Sequence, residues 1–234
     1  VIVASRFNGP TGSGNGGYTC GLVAAASGLD RAEVTLRLPP PLDVPLRVDG
    51  DGVYDPAGAL VATASPAPED APGDLPGGAP AFPGYDAARA AQQRYAGLGH
   101  HPFPACFVCG PARSDGLGLA PGPVGEAFVA TTWVPHADLA DGDRVRDEFV
   151  WAALDCPGAW ALMQTDEAPI VLGRLAVAIA GNVLAGQPHV VTGWRRADRE
   201  GRKHFAGTAL YDAAGTLLAT GRATWIAVQS TAAS

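Results

Sequence analysis

The chain is poor in cysteine and lysine and has no long apolar run. Its four cysteines, Cys20, Cys106, Cys109 and Cys156, are too few in 234 residues for a secreted-type disulfide framework, and reduced thiols are expected. No stretch of about 18 apolar residues occurs, so no transmembrane helix is predicted. The opening Val-Ile-Val-Ala-Ser-Arg lacks the charged leader, apolar core and cleavage site of a signal peptide, which makes the cytoplasm the expected compartment. Sixteen Lys and Arg against 23 Asp and Glu leave a net charge of −7, which does not attract nucleic acid by bulk electrostatics. Several catalytic signatures are missing too. No Gly-x-Ser-x-Gly elbow is present, which argues against an α/β-hydrolase. His136, His189 and His204 are scattered, and no His-x-x-x-His pair marks a hydrolytic zinc site. The glycine-rich loop Asn8–Gly17 has neither the Gly-Lys-Ser/Thr ending of a P-loop nor the dinucleotide fingerprint.

What is present suits a folded globular chain: 47% hydrophobic and 17% charged residues, with 31 Gly and 21 Pro marking many turns. The Ala-, Gly-, Pro- and Arg-rich composition resembles a GC-rich bacterial coding sequence. Residues 1–7 read as a short strand and Tyr18–Ser27 as a small-residue helix ending near Gly28. Alternation predicts strands over 32–38, 44–48 and 59–64, separated by turns at 49–52 and 55–58. Residues 65–84 form a Pro/Ala/Gly-rich linker, followed by a bridging helix over 86–98. The second half repeats the element order. It has a strand over 125–135, an apolar helix over 148–164 interrupted at Pro157-Gly158, and strands over 174–179, 189–196, 203–211 and 217–228. The division is thus 1–64, a linking region 65–99, and 100–234.

Short motifs carry a family resemblance. Asn15-Gly16-Gly17 precedes the first helix, and Asp155 lies in Ala-Leu-Asp-Cys within the second. The sequence resembles hotdog-fold acyl-CoA thioesterases of the phenylacetic-acid-pathway and hydroxybenzoyl-CoA types. There a His-Gly-Gly opens the central helix, an acidic residue follows the His by nine positions, and paired units share their active sites. Nine residues after Asn15 stands Ala24, so the first half keeps the glycines without the acid. Nine residues before Asp155 stands Arg146, so the second half keeps the acid without the glycines. The resemblance implies an α+β double hotdog, two antiparallel sheets each wrapping a central helix, with one composite site and one dead site. A dimer or trimer of this chain is compatible with it.

In such a site Gly16 or Gly17 would offer a helix-N-terminal amide to the thioester oxygen. Asn15 or Asn8 would add a donor or hold water. Asp155 would act as general base or nucleophile, against the plainer reading of a cap before Pro157. Arg195, Arg196 and Arg202 are candidate contacts for CoA phosphates, or simply a solvated turn. Trp151 is a candidate wall for the acyl group. Cys106-Phe-Val-Cys109 resembles half a zinc knuckle with His100 and His101 nearby, but it lacks a second pair and reads as two small thiols. No metal or organic cofactor is required. The expected substrate is an acyl-CoA or acyl-carrier thioester. The alternatives are a non-catalytic binder of acyl or aromatic ligands and a hotdog enoyl-CoA hydratase or dehydratase.

Overall fold

The computed structural model describes residues 1–68, 81–164 and 169–228, so much of the predicted linker lies outside the described residues. The strand expected over 1–7 is reduced to a single antiparallel bridge from Ile2 to Pro45, followed by a 3-10 turn at Ser5–Phe7. Helix α1 (Gly16–Ser27) begins where the Asn15 side chain accepts from the Tyr18 amide, and it ends at Gly28 in the left-handed conformation (φ +69°). Four strands follow: β1 (Ala32–Leu36), β2 (Arg47–Asp49), β3 (Gly52–Tyr54) and β4 (Leu60–Pro66). After the linking helix α2 (Tyr85–Gln92) come β5 (Gly122–Gly125), β6 (Phe128–Trp133) and a small hairpin of β7 (Ala140–Asp141) and β8 (Arg144–Val145). Helices α3 (Asp147–Ala153) and α4 (Cys156–Met163) lead into β9 (Ile170–Ile179), β10 (His189–Glu200), β11 (Lys203–Asp212) and β12 (Leu217–Ala227).

The second-half helix breaks at Leu154 and Asp155, just before the predicted Pro157-Gly158 interruption. Pro157 falls in the first turn of α4, where its missing N–H costs nothing. In a continuous helix its ring would meet the carbonyl four residues back, so the chain turns before it.

The expectation of two sheets is corrected. The main strands form one ten-stranded sheet in the order β2-β3-β4-β1-β9-β12-β11-β10-β6-β5. The halves join where β1 pairs antiparallel with β9 through Glu33–Ala176, Val34–Leu175 and Thr35–Arg174. Arg174 also reaches Glu33 at 3.2 Å and the Thr35 hydroxyl at 3.1 Å. Separate sheets would leave both strands as open edges with unpaired backbone groups; the join removes both. The connection order on either side of the join is the same. Each half has an extended segment, a helix region and four strands. The strand after the helix sits at the join with the last strand beside it, and the first segment lies next to the second of the four strands or the residues that lead into it.

Helices α1, α3 and α4 cover one face of this sheet. Helix α2 covers the other, where Ala88 packs on Ala130 and Val190, while the neighbouring Val129 and Val191 point into the main core. Helix α1 meets α3 at close range through two glycines. A Cβ at Gly17 would lie 2.5 Å from Asp155 Cβ, and one at Gly21 would lie 2.6 Å from Glu148 Cα. Phe7, Tyr18, Phe107 and Phe149, from four separate segments, close the core beside this contact. The Phe7 ring centroid lies 4.2, 4.9 and 5.6 Å from those of Tyr18, Phe107 and Phe149. Phe107 is fully buried, so Phe107→Ala is expected to cost about 3–5 kcal/mol in denaturant unfolding. A loss below about 1 kcal/mol would mean the cluster does not hold the N-terminal segment in place.

Candidate active site

The break between α3 and α4 places Asp155 against the start of α1. Its Oδ2 accepts two hydrogen bonds from the other half of the chain, from Gly17 N at 2.9 Å and Asn15 Nδ2 at 2.9 Å. Its Oδ1 is buried and accepts no hydrogen bond from the described residues. Asp155 is 2% exposed. Burial pushes its carboxyl up from the ordinary carboxylate range to about 7, and the Gly17 amide opposes the shift. The nearby Cys106 raises it further, and Asn15 pulls it down.

Asn15 works with both ends of its amide. Its Oδ1 caps α1 at Tyr18 N, 2.8 Å away, which leaves Nδ2 facing Asp155. Asn15→Ala therefore removes a helix cap and one donor to a buried carboxylate. Destabilisation of about 0.5–2 kcal/mol is expected in thermal or denaturant unfolding, and unchanged stability would contradict this double role.

Gly16 is the first residue of α1, so its amide has no acceptor within the helix. It lines the cavity described below, under Leu172 of β9; a Cβ at Gly16 would lie 2.9 Å from Leu172 Cβ. Gly17 differs from the sequence reading. Its N–H is engaged by Asp155, and its missing side chain makes room for α3.

Asn15, Gly16 and Asp155 open onto a cavity of about 440 Å³. Its wall is mostly apolar, including Leu36, Pro40, Trp160, Met163, Leu172 and Trp225, and Arg37 adds a cationic side chain. Volume and lining suit a small acyl or aromatic group. Trp225 Nε1 is buried without a hydrogen-bond partner among the described residues.

Other predicted residues do not line this cavity. Asn8 instead ties the loop around Cys106 to the N-terminal segment. Its Nδ2 donates to Ala105 O at 3.0 Å, its Oδ1 accepts from Arg113 at 2.8 Å, and its carbonyl accepts from Phe107 N at 2.8 Å. Trp151 is core, with its Cβ and carbonyl packed toward Gly21 and Gly17. Arg195 and Arg196 lie on β10 and Arg202 in the turn before β11, none of them among the lining residues. The sequence reading missed His101, Trp160 and Cys156 as cavity residues. Only Cys156 had a signal, its place directly after Asp155.

No family model matches the chain, and no curated protein does. Solved structures similar to it include the E. coli PaaI protein from the phenylacetic acid degradation operon (14% identity, TM-score 0.47, covering 62% of this chain and 96% of that one). Zebra fish thioesterase superfamily member 2 is similar at 15% identity and TM-score 0.45, over 58% of this chain and 95% of that one. An acyl-CoA hydrolase from Staphylococcus aureus, solved with butyryl coenzyme A, is similar at 13% identity and TM-score 0.41, over 45% and 65%.

Proposed function

We propose that the chain is a double hotdog that hydrolyses an acyl thioester, of CoA or an acyl carrier, at one composite site between its halves. One observation carries the reading. A buried carboxylate from the second half is held on the N-terminus of the first-half helix, its second oxygen has no donor among the described residues, and the residue lines a largely apolar cavity. At the same spacing in the first half, nine residues after Asn15, stands Ala24, so that position supplies no second carboxylate.

In this reading the acyl group lies in the cavity, with its carbonyl oxygen at the Gly16 amide. The positive end of α1 stabilises negative charge there as it develops. A water between the carbonyl carbon and Asp155 gives its proton to Oδ1 as its oxygen attacks. The tetrahedral adduct then collapses, the C–S bond breaks, and the departing thiolate takes the proton back from Asp155. Asn15 and the Gly17 amide fix the other carboxylate oxygen throughout, so the base does not rotate. The raised affinity of Asp155 for a proton suits a group that must accept one near neutral pH.

The test is thiol release from a panel of short-chain, long-chain and aromatic acyl-CoAs. Turnover of at least one member is expected, with small or aromatic groups preferred by the cavity. No release from any member, with the same ligands still raising Tm, would replace this reading with a ligand-binding protein. Loss of an enoyl-CoA double bond without thiol release would replace it with a hydratase.

A further inference from the structure

The cavity wall carries a second group of reactive side chains that the hydrolysis above does not use. Cys106, Cys109 and Cys156 are buried, and their sulfur atoms all lie within 4.8 Å of one another. Cys106 Sγ and Cys156 Sγ are 3.8 Å apart. Tetrahedral coordination with Zn–S bonds of about 2.3 Å puts neighbouring sulfurs about 3.8 Å apart. A disulfide would require about 2.05 Å.

Two segments bring the sulfurs together. One is the turn Cys106-Phe-Val-Cys109-Gly110, closed by Gly110 N donating to Cys106 O at 2.9 Å. Only glycine fits at its end, since a Cβ there would lie 2.4 Å from Cys106 N. The other segment is the first turn of α4, which carries Cys156. The surroundings are rich in donors. Asn15 Nδ2 lies 3.9 Å from the Cys106 sulfur. His101 Nε2 lies 3.4 Å from Cys109 Sγ. His101 Nδ1 accepts from Phe103 N at 2.9 Å, so in the neutral ring Nε2 carries the proton and donates to sulfur. Such donors stabilise thiolates, but several thiolates buried together also need a counter-charge. Thiolate donors select soft metals, Zn²⁺ among them, and the 3.8 Å spacing of Cys106 and Cys156 is that of tetrahedral zinc.

We propose that Cys106, Cys109 and Cys156 bind one Zn²⁺ as thiolates, with the fourth coordination position turned toward the cavity. All three cysteines line that cavity. The ion would lock the loop carrying Cys106 and Cys109 to α4, beside Asp155. His101 would act as an orienting donor to sulfur rather than as a ligand.

The test uses the full chain purified under reducing conditions and freed of metal with a chelator. Titration with Co²⁺ is expected to saturate at one equivalent, with near-UV thiolate-to-cobalt charge transfer and the visible bands of a tetrahedral site. Zn²⁺ should displace the colour. Cys106→Ser and Cys156→Ser should lose the bands, while Cys20→Ser, a buried thiol outside the cluster, should keep them. His101→Ala should keep the bands with about 10- to 100-fold weaker affinity. Wild-type chain with native circular dichroism and no cobalt bands overturns the proposal, whatever the variants do. So does a disulfide among these cysteines in the protein as isolated, or bands undiminished in both serine variants. Complete loss of the bands in His101→Ala overturns the open fourth position.

Discussion

Asp155→Asn is expected to lower kcat for thioester hydrolysis by about 10²- to 10⁴-fold, the usual contribution of a positioned acid or base. The substitution is nearly isosteric. The new side chain's oxygen can still accept from Gly17 N and Asn15 Nδ2, the two bonds that now hold Oδ2. Its NH₂ takes the place of Oδ1, which has no protein donor to lose among the described residues. Fold and Tm should therefore stay close to wild type while the proton acceptor disappears. Steady-state thiol release together with thermal unfolding separates the two effects. Full activity in a folded variant would contradict the assignment. A large fall in Tm with kcat preserved would make Asp155 a structural cap at the α3–α4 break.

Gly17→Ala is expected to destabilise the fold by about 1–3 kcal/mol, the range for over-packing a close contact. The sign is informative, because alanine inside a helix normally stabilises by about 1 kcal/mol over glycine. Here the added methyl would lie 2.5 Å from Asp155 Cβ and 2.7 Å from Trp151 O. One of these neighbours is backbone of α3, which cannot swing aside as a flexible side chain would. Helix α1 must back away, and the hydrogen bonds on Asp155 Oδ2 lengthen with it. Activity should fall along with stability, measured on samples held well below Tm. A variant more stable than wild type would show that α1 and α3 are not in the close contact described.

The sequence made most of the elements legible but not the way they join. The helix expected over Tyr18–Ser27 follows from its small residues and the Gly28 stop, though it starts two residues earlier, at Gly16; the long strands β9 to β12 follow from their alternation and turns. The single sheet was hidden, because the β1–β9 pairing depends on contacts between residues such as Val34 and Leu175, far apart in sequence. Strand β3 is only Gly52–Tyr54 and was lost between two turn signals. At the site, the spacing of Asn15, Gly16 and Asp155 against the thioesterase motif singled out residues that do lie together. The division of labour between the two glycines was not legible, since which amide meets a carboxylate depends on how α1 packs. Asn8 and Trp151 were chosen by position and type, yet they serve the loop tie and the core. The three-cysteine cluster was half visible as Cys106-x-x-Cys109. Its third member, Cys156, is fifty positions from Cys106 and was read only as a neighbour of Asp155.

The central claim is that residues from the two halves act as one catalytic unit, and a double-substitution cycle tests it most directly. Thiol release by wild type, Asn15→Ala, Asp155→Asn and the double variant would be measured on the best acyl-CoA of the panel. Groups that act as a unit are strongly non-additive in such a cycle. The account predicts that the double variant is no slower than Asp155→Asn by more than about 3-fold, because Asn15 serves catalysis through the carboxylate it holds. Losses that multiply in the double variant would contradict it and would assign the two halves separate roles.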